Sequence, residues 1–291
     1  MDRFLLPGQG DDNATEFPGG EAFNTATALA GWGVNVTLTG TAVGDDAEGL
    51  RLRELLQSHP LAQGLDLSLL PHVSGAVTPV CTVRVDANGE RFMSGRGFAE
   101  ATPPNLETIL PTLVDRPLFT VDPNLGKAAI EATLAAATAG CPIVSMDCAA
   151  IPEILAASQV AVTSHEWISR SACGTSAEDG ARRIARSGAG LSIVTEGIAG
   201  GICFRSDEMF RYGALPVSAF PEPKIVDTTG AGDIFRAGLC YMLARPLPQL
   251  ARVLRFASTA AALHCTVFGG GSRIPLGVVK KLAPEVRVTR L

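Results

Sequence analysis

The chain of 291 residues is 46% hydrophobic and 18% charged, which excludes a disordered protein and allows one large domain or a domain with a small appendage. A formal net charge of −5 without any basic run argues against a nucleic-acid surface, and the apolar stretches are helix-sized, alanine-rich and interrupted, unlike a membrane span. Seven cysteines with no CxxC pair, four scattered histidines and no charged-then-apolar leader after Met1 fit reduced thiols in the cytoplasm, not a disulfide framework or a zinc site.

In chain order, "FPGGEAFNTATALAGWG" carries a glycine pair, Gly19–Gly20, ahead of an alanine-rich segment. Asn24 lies four residues after Gly20 and so shares a face with the helix start. Small residues at 26, 28 and 30 make a thin helix that can press against a sheet. A polyhydroxylated ligand could lie on the bare glycines and bond Asn24; an asparagine in an alanine-rich helix with a glycine cap is the simpler reading. Further on, "AVTPVCTVRVDANGERFMSG" over 76–95 reads as two strands around an Ala-Asn-Gly turn at 87–89. With no helix to cover it, this hairpin is read as a small β lid, approximately 74–97, or as an ordinary edge hairpin.

From Pro117 onward strand and helix alternate. "PLFTVD" ends in Asp122; "NLGKAAIEATLAAATAG" is a helix with Asn124 as N-cap and Gly140 past its end. "PIVSMD", "VAVTS" and "LSIVTEG" are strands separated by a short helix, "IPEILAA", and by "TSAEDGARRIARSG", which opens with a capping box, Thr175 to Glu178 or Ser176 to Asp179. The alternation predicts an α/β fold, a three-layer α/β/α sandwich on a mostly parallel central sheet, in a single domain over 1–291.

"KIVDTTGAGDIFRAGLCYML" poses the chemical question. Gly230 and Gly232 leave backbone N–H groups uncovered before a helix spanning 231–244 that stops ahead of Pro246. A bare turn at a helix N-terminus is an anion site. Asp233 inside it would repel a resting phosphate unless a substrate hydroxyl lay between them. The aspartate would then accept the hydroxyl proton while the N–H groups receive the charge of a transferred phosphoryl group. A lone GAGD also reads as a helix start with a favourable first-turn acid and packing glycines.

The pairing of "PGGEAFNTATALAGWG…GTAVGDDAEG" with "DTTGAGDIFRAG" resembles the ribokinase/PfkB carbohydrate kinases, from Met1 to about Pro284. The resemblance implies a ribokinase-like sandwich with a β lid over the sugar, and ATP-dependent phosphorylation of a sugar hydroxyl with Mg2+. It makes Asp233 the catalytic base, Gly230, Ala231 and Gly232 the anion hole, and Gly19, Gly20 and Asn24 sugar-binding positions. "SIVTEGIAGG" resembles the nucleotide strand and turn, which places Thr195, Gly197 and Gly200 beside ATP; "FASTAAALHCTVFGGGSRIP" resembles the adenine-side helix and loop and adds Ser258 and Gly270. Asp227 matches a position that often helps hold a monovalent cation, K+. Arg84, Arg96 and Asp122 are lid and pocket residues that would choose the sugar, and a homodimer through the lid is a further expectation.

Two departures stand out. Where the family carries Asn-x-x-Glu, which orders the water around magnesium, "VTSHEWIS" puts Ser164 at the Asn position and Trp167 at the Glu position, with Glu166 one place early. Ser164 is therefore expected beside the nucleotide, and Glu166 is either a metal-side acid or a solvated one. Family members also open with a strand that ends in a sugar-binding aspartate. Asp2 falls on that aspartate without the strand before it, so the expectation is that the chain as given starts late by about ten residues, leaving Asp2 on a mobile terminus. A nucleoside kinase and a catalytically silent sugar binder of the same fold stay open as alternatives. A dinucleotide oxidoreductase lacks its early GxGxxG, and a Walker-type kinase lacks its upstream glycine before Gly126–Lys127.

Overall fold

A computed structural model describes residues 1–86, 91–114, 116–171, 173–220, 225–245, 249–267 and 274–291. The strands are β1 (Asp2–Leu5), β2 (Thr15–Phe17), β3 (Val36–Thr37), β4 (Leu65–Asp66), β5 (Val80–Val85), β6 (Arg91–Arg96), β7 (Phe119–Val121), β8 (Ile143–Met146), β9 (Val160–Ser164), β10 (Leu191–Thr195), β11 (Gly201–Arg205), β12 (Glu208–Tyr212) and β13 (Val288–Arg290). The helices are α1 (Glu21–Gly31), α2 (Ala47–Ser58), α3 (Leu106–Ile109), α4 (Lys127–Thr138), α5 (Pro152–Ala157), α6 (His165–Arg170), α7 (Ala177–Arg186), α8 (Ala231–Leu243), α9 (Leu250–His264) and α10 (Leu276–Leu282).

The main sheet has seven strands in the order β13-β12-β11-β10-β9-β8-β7. It is parallel from β7 to β10 and antiparallel from β10 to β13. The parallel half arises where apolar runs alternate with helices, each helix returning the chain to start the next strand in the same direction. Neighbouring residues on a strand face opposite sides, and both sides are covered. Val144, Val162 and Ile193 join Leu29 of α1, Ile234 of α8 and Leu254 of α9 in one core. Ala161 and Val194 join Ala181 and Ile184 of α7 on the other side. Val121 and Ile143 meet Ala129 and Ala136 of α4 and Ile154 of α5. This is the three-layer sandwich that the alternation implies. Strands β3 and β4 form a separate two-stranded parallel sheet. Among the described residues no helix is long and apolar enough to cross a membrane.

The lid is larger than a hairpin. It is a four-stranded sheet in the order β2-β1-β5-β6, in which β1 runs parallel to β5 and antiparallel to β2. The exposed edge of an isolated hairpin is thus paired by the N-terminal strands, which the two-strand reading left out. Asp2 opens β1, in register with Phe17 on one side and Cys81 on the other, so it is held in a sheet and not on a loose terminus. The turn at 87–89, Pro246 and Gly270 lie outside the described residues.

Two helix starts differ from the sequence reading. Asn124 does not cap α4; Asp122 caps a short 3-10 turn at Pro123–Leu125 by accepting the Asn124 N–H, and α4 begins after Gly126. Of the two capping boxes, the Ser176 register is adopted: its Oγ accepts the Asp179 N–H at 3.1 Å. Gly140 does follow the end of α4, in the left-handed region.

Helices α8 and α9 approach closely at Gly238, where a Cβ would sit 2.6 Å from the Ala257 Cα. Backbone cannot retreat as a flexible side chain can. Gly238→Val is therefore expected to cost about 1–3 kcal/mol by overpacking, read as a lower Tm than wild type in thermal unfolding.

Candidate active site

The N-terminus of α8 lies against the N-terminus of α1. Gly230 caps α8 with φ of 79°, a left-handed conformation that favours glycine. Ala231 and Gly232 form the first turn, and Asp233 is its third residue, buried at the positive end of the helix. The Asn24 amide donates from Nδ2 to Asp233 Oδ2 at 2.8 Å. One residue on, the Thr25 hydroxyl donates to the Asp233 carbonyl at 3.2 Å. Asn24 and Thr25 reach this far because α1 is narrow: Ala26, Ala28 and Thr27 are buried where larger side chains would hold the helices apart.

One turn beyond Asp233 is Arg236, whose side chain is wholly buried. Its Nε donates to Thr25 Oγ1 at 2.9 Å, its Nη1 lies 3.5 Å from Asp122 Oδ2, and its Nη2 lies 3.8 Å from Asp233 Oδ1. Asp122 stands at the C-terminal end of β7, and Asp147 stands at the same end of β8. Asp147 adopts φ of 54°, unusual for a residue with a side chain, and its Oδ1 accepts from Thr163 Oγ1 at 2.7 Å and from the Ser164 N–H at 3.3 Å. Carboxylates thus collect beyond the ends of the parallel strands, where α/β sheets place their ligands.

Burial dominates the electrostatics. It pushes the Asp233 carboxyl up to about 7, against the pull of Arg236 and the Asn24 amide. Glu21, the first residue of α1, is pushed up to about 8 by burial and by Asp122 and Asp233, with Arg236 opposing. Burial also raises Asp147. Buried atoms without a partner among the described residues include Glu21 Oε2, Asn24 Oδ1 and Arg236 Nη2, all within this cluster.

A second group lies between the lid and α1. Asp2 Oδ2 accepts the Gly20 N–H at 3.3 Å, and Gly20 caps α1 with φ of 103°. A Cβ on Gly19 would lie 1.9 Å from Asp2 Oδ2, so only glycine lets the carboxylate approach.

Further along the same edge of the sheet, Ser164 and Thr195 are in register on β9 and β10. Gly197 and Gly200 bracket the turn that follows β10. Ser258 of α9 donates to the Gly213 carbonyl at 2.9 Å, next to the end of β12. Asp227 is buried before α8; its Oδ1 accepts the Thr229 N–H, and its own N–H donates to the Cys265 carbonyl beyond α9.

The structure therefore brings Asn24, Asp122, Gly230, Ala231, Gly232 and Asp233 into one cluster, and Asp2 with Gly19 and Gly20 into a second at the start of α1. It does not bring Glu166 to either: that side chain is 71% exposed on α6 and pairs with Arg170. Arg96 pairs with Glu48 on α2. Sequence reading missed Glu21, Thr25, Asp147 and Arg236. Two signals were available. Asp147 ends "PIVSMD" as Asp122 ends "PLFTVD", and Arg236 is a cation in an otherwise apolar helix, one turn from an acid.

This arrangement of carboxylates and a helix N-terminus beyond the ends of parallel strands can be set beside what the chain is similar to. The family pattern described as pfkB family carbohydrate kinase matches residues 10–276, and the chain belongs to that family. A nucleoside kinase of Methanothermobacter thermautotrophicus is 28% identical over 272 residues, covering 88% of this chain and 81% of that protein. An uncharacterized sugar kinase of Dictyostelium discoideum is 52% identical over 58 residues, a match that spans 20% of this chain and only 16% of that protein. Among solved structures, Arabidopsis thaliana ribokinase complexed with ribose and ATP superposes with a TM-score of 0.79 at 21% identity, covering 97% of this chain and 95% of that one. A Burkholderia thailandensis nucleoside kinase in complex with inosine gives 0.71 at 20% identity, covering 97% and 92%.

The raised Glu21 has a consequence for stability. An acid whose folded value lies above its unfolded one loses stability as pH climbs between the two, because the unfolded chain releases the proton first. Glu21→Gln should therefore gain Tm relative to wild type progressively from the ordinary carboxylate range up to about pH 8. Thermal unfolding of both proteins at pH 5, 6.5 and 8 checks this; a constant difference would count against it.

Proposed function

We propose that this chain is an ATP-dependent kinase that transfers the γ-phosphoryl group to a sugar hydroxyl, with all 291 residues forming one kinase domain. The observation that carries this reading is Asp233. It is a buried carboxyl at the uncovered N-terminus of α8, held by Asn24 from a helix 209 residues earlier. Asp233 takes the hydroxyl proton as the acceptor oxygen attacks, and its raised affinity for protons suits a base working near neutrality. The N–H groups of Gly230 and Gly232, with the helix dipole behind them, receive the charge that builds on the transferred group, while that of Ala231 donates to the Thr228 carbonyl at 3.2 Å until the turn adjusts to the ligand. Asp2, Gly19, Gly20, Asn24 and Asp122 hold the acceptor hydroxyls. Ser164, Thr195, Gly197, Gly200, Ser258 and Gly270 border the nucleotide.

For magnesium, the donor that fits is Asp147. One of its oxygens is fixed by Thr163 and Ser164, and the other makes no hydrogen bond among the described residues. Glu166 is committed to Arg170 at the surface, so it does not fit. Mg2+, when bound, neutralises charge on the phosphates. Asp227 would hold K+. The lid closes over the acceptor or pairs with the lid of a second subunit; Phe92 and Met93 of β6 are exposed on it.

A nucleoside acceptor is the second reading, favoured by the identity to the Methanothermobacter nucleoside kinase over 88% of this chain. ADP formation from ATP and Mg2+ across a panel of sugars and nucleosides separates the two. With the best acceptor, Asp233→Asn should lower turnover by about 10²–10⁴ while acceptor affinity stays within a few-fold. Turnover near the wild-type value would remove Asp233 as the base, and an inactive panel would favour a silent binder.

The pH profile follows from the same residue. A base works ionised, so kcat/KM should fall by about tenfold per unit below its folded value of about 7. A profile flat down to pH 5.5 would contradict this.

A further inference from the structure

Arg236 has no part in the chemistry described so far, yet its side chain is the largest fully buried one among the described residues. It is wholly buried, and the titratable groups that face it include Asp122 after β7, Asp147 after β8, Asp233 and Cys240 from its own helix, and Glu21 from α1. Thr25 fixes its Nε at 2.9 Å, and the two terminal nitrogens point one to Asp122 and one to Asp233, at 3.5 and 3.8 Å. These three contacts come from three separate elements, and they converge on a planar fork that a lysine could not reproduce. A buried ion pair on a scaffold alone would need one acid. Here the second acid is the one placed as base, and Arg236 Nη2 makes no hydrogen bond among the described residues, its approach to Asp233 at 3.8 Å being an ion pair.

We propose that Arg236 is the positioning residue of the acceptor site: anchored by Thr25, its guanidinium ties Asp233 to Asp122 and so sets the spacing between the base and the carboxylate that grips the acceptor. The proposal rests on the kinase reading above. Arg236 touches neither acceptor nor phosphate in this role. It favours the ionised form of Asp233 against the burial that raises it, and its positive charge lies between the two carboxylates. Asn24 bonds the opposite oxygen of Asp233, so the carboxylate is gripped at both ends.

The test uses the full chain and the acceptor found best in the panel. Arg236→Gln should lower kcat more than it raises KM for ATP, and should move the acid limb of the kcat/KM profile upward by about one pH unit or more, because an opposite charge beside a carboxylate typically lowers its proton affinity by that much. Raising the pH should restore part of the lost rate. Arg236→Lys should keep the acid limb near its wild-type position but, lacking the fork, recover kcat only partly. A folded Arg236→Gln enzyme with an unmoved limb and kcat within about threefold of wild type would overturn the proposal. If Arg236→Gln fails to fold, Asp122→Asn decides: it frees the guanidinium for Asp233 alone, so the limb should move to lower pH. An unmoved limb in Asp122→Asn would overturn the proposal as well. Should Asp233→Asn itself keep its activity, the base assignment falls instead, which is a different result from an intact base with an unmoved limb.

Discussion

The close approach of α1 and α8 is the constraint on which the rest of the molecule depends. The two helices are separated by most of the chain, yet the Asn24 and Asp233 side chains meet at 2.8 Å. That distance requires α1 to be thin on the face it presents, and Thr25, Ala26 and Ala28 make it so. It also requires α8 to be fixed from behind, which α9 does through the tight crossing at Gly238 and Ala257. Interiors packed this densely transmit position faithfully. The carboxylate at the start of α8 is therefore located by its neighbours on both sides and not by its own turn alone.

The sheet supplies the second half of the arrangement. Four strands end in polar groups on the same edge: Asp122 after β7, Asp147 after β8, Ser164 on β9 and Thr195 on β10. All four belong to the parallel part, so their C-terminal ends lie together. Beyond β10 the chain turns back through β11 and β12, and polar ends no longer accumulate on that edge.

Much of this was legible in the residues. The runs ending in Asp122 and Asp147 became strands, the alternation after Pro117 gave the layers, and the glycine turn did open a helix with Asp233 in its first turn. The failures have two causes, one local and one from elements distant in sequence. Asn124 looks like a cap, but Asp122 competes for its N–H and starts a 3-10 turn first. The lid looked like a hairpin because β1 and β2 belong to it only through pairing across about 80 positions of sequence. Arg236, Thr25 and Glu21 matter because of what faces them from other elements. Periodicity along one segment carries no information about that.

The lid sheet has a mechanical property that follows from its middle strand. Asp2 is part of β1, which is hydrogen-bonded to β2 on one side and β5 on the other, and the same carboxylate accepts the N–H that opens α1. The lid and the sandwich therefore meet at this side chain, as they also do at the Arg96–Glu48 pair between β6 and α2. Any tilt of the lid sheet as a rigid plate swings that carboxylate relative to Gly19 and Gly20, like a latch mounted on the door it fastens. An opening of the plate would withdraw the Asp2 carboxylate from the glycine pair in the same movement.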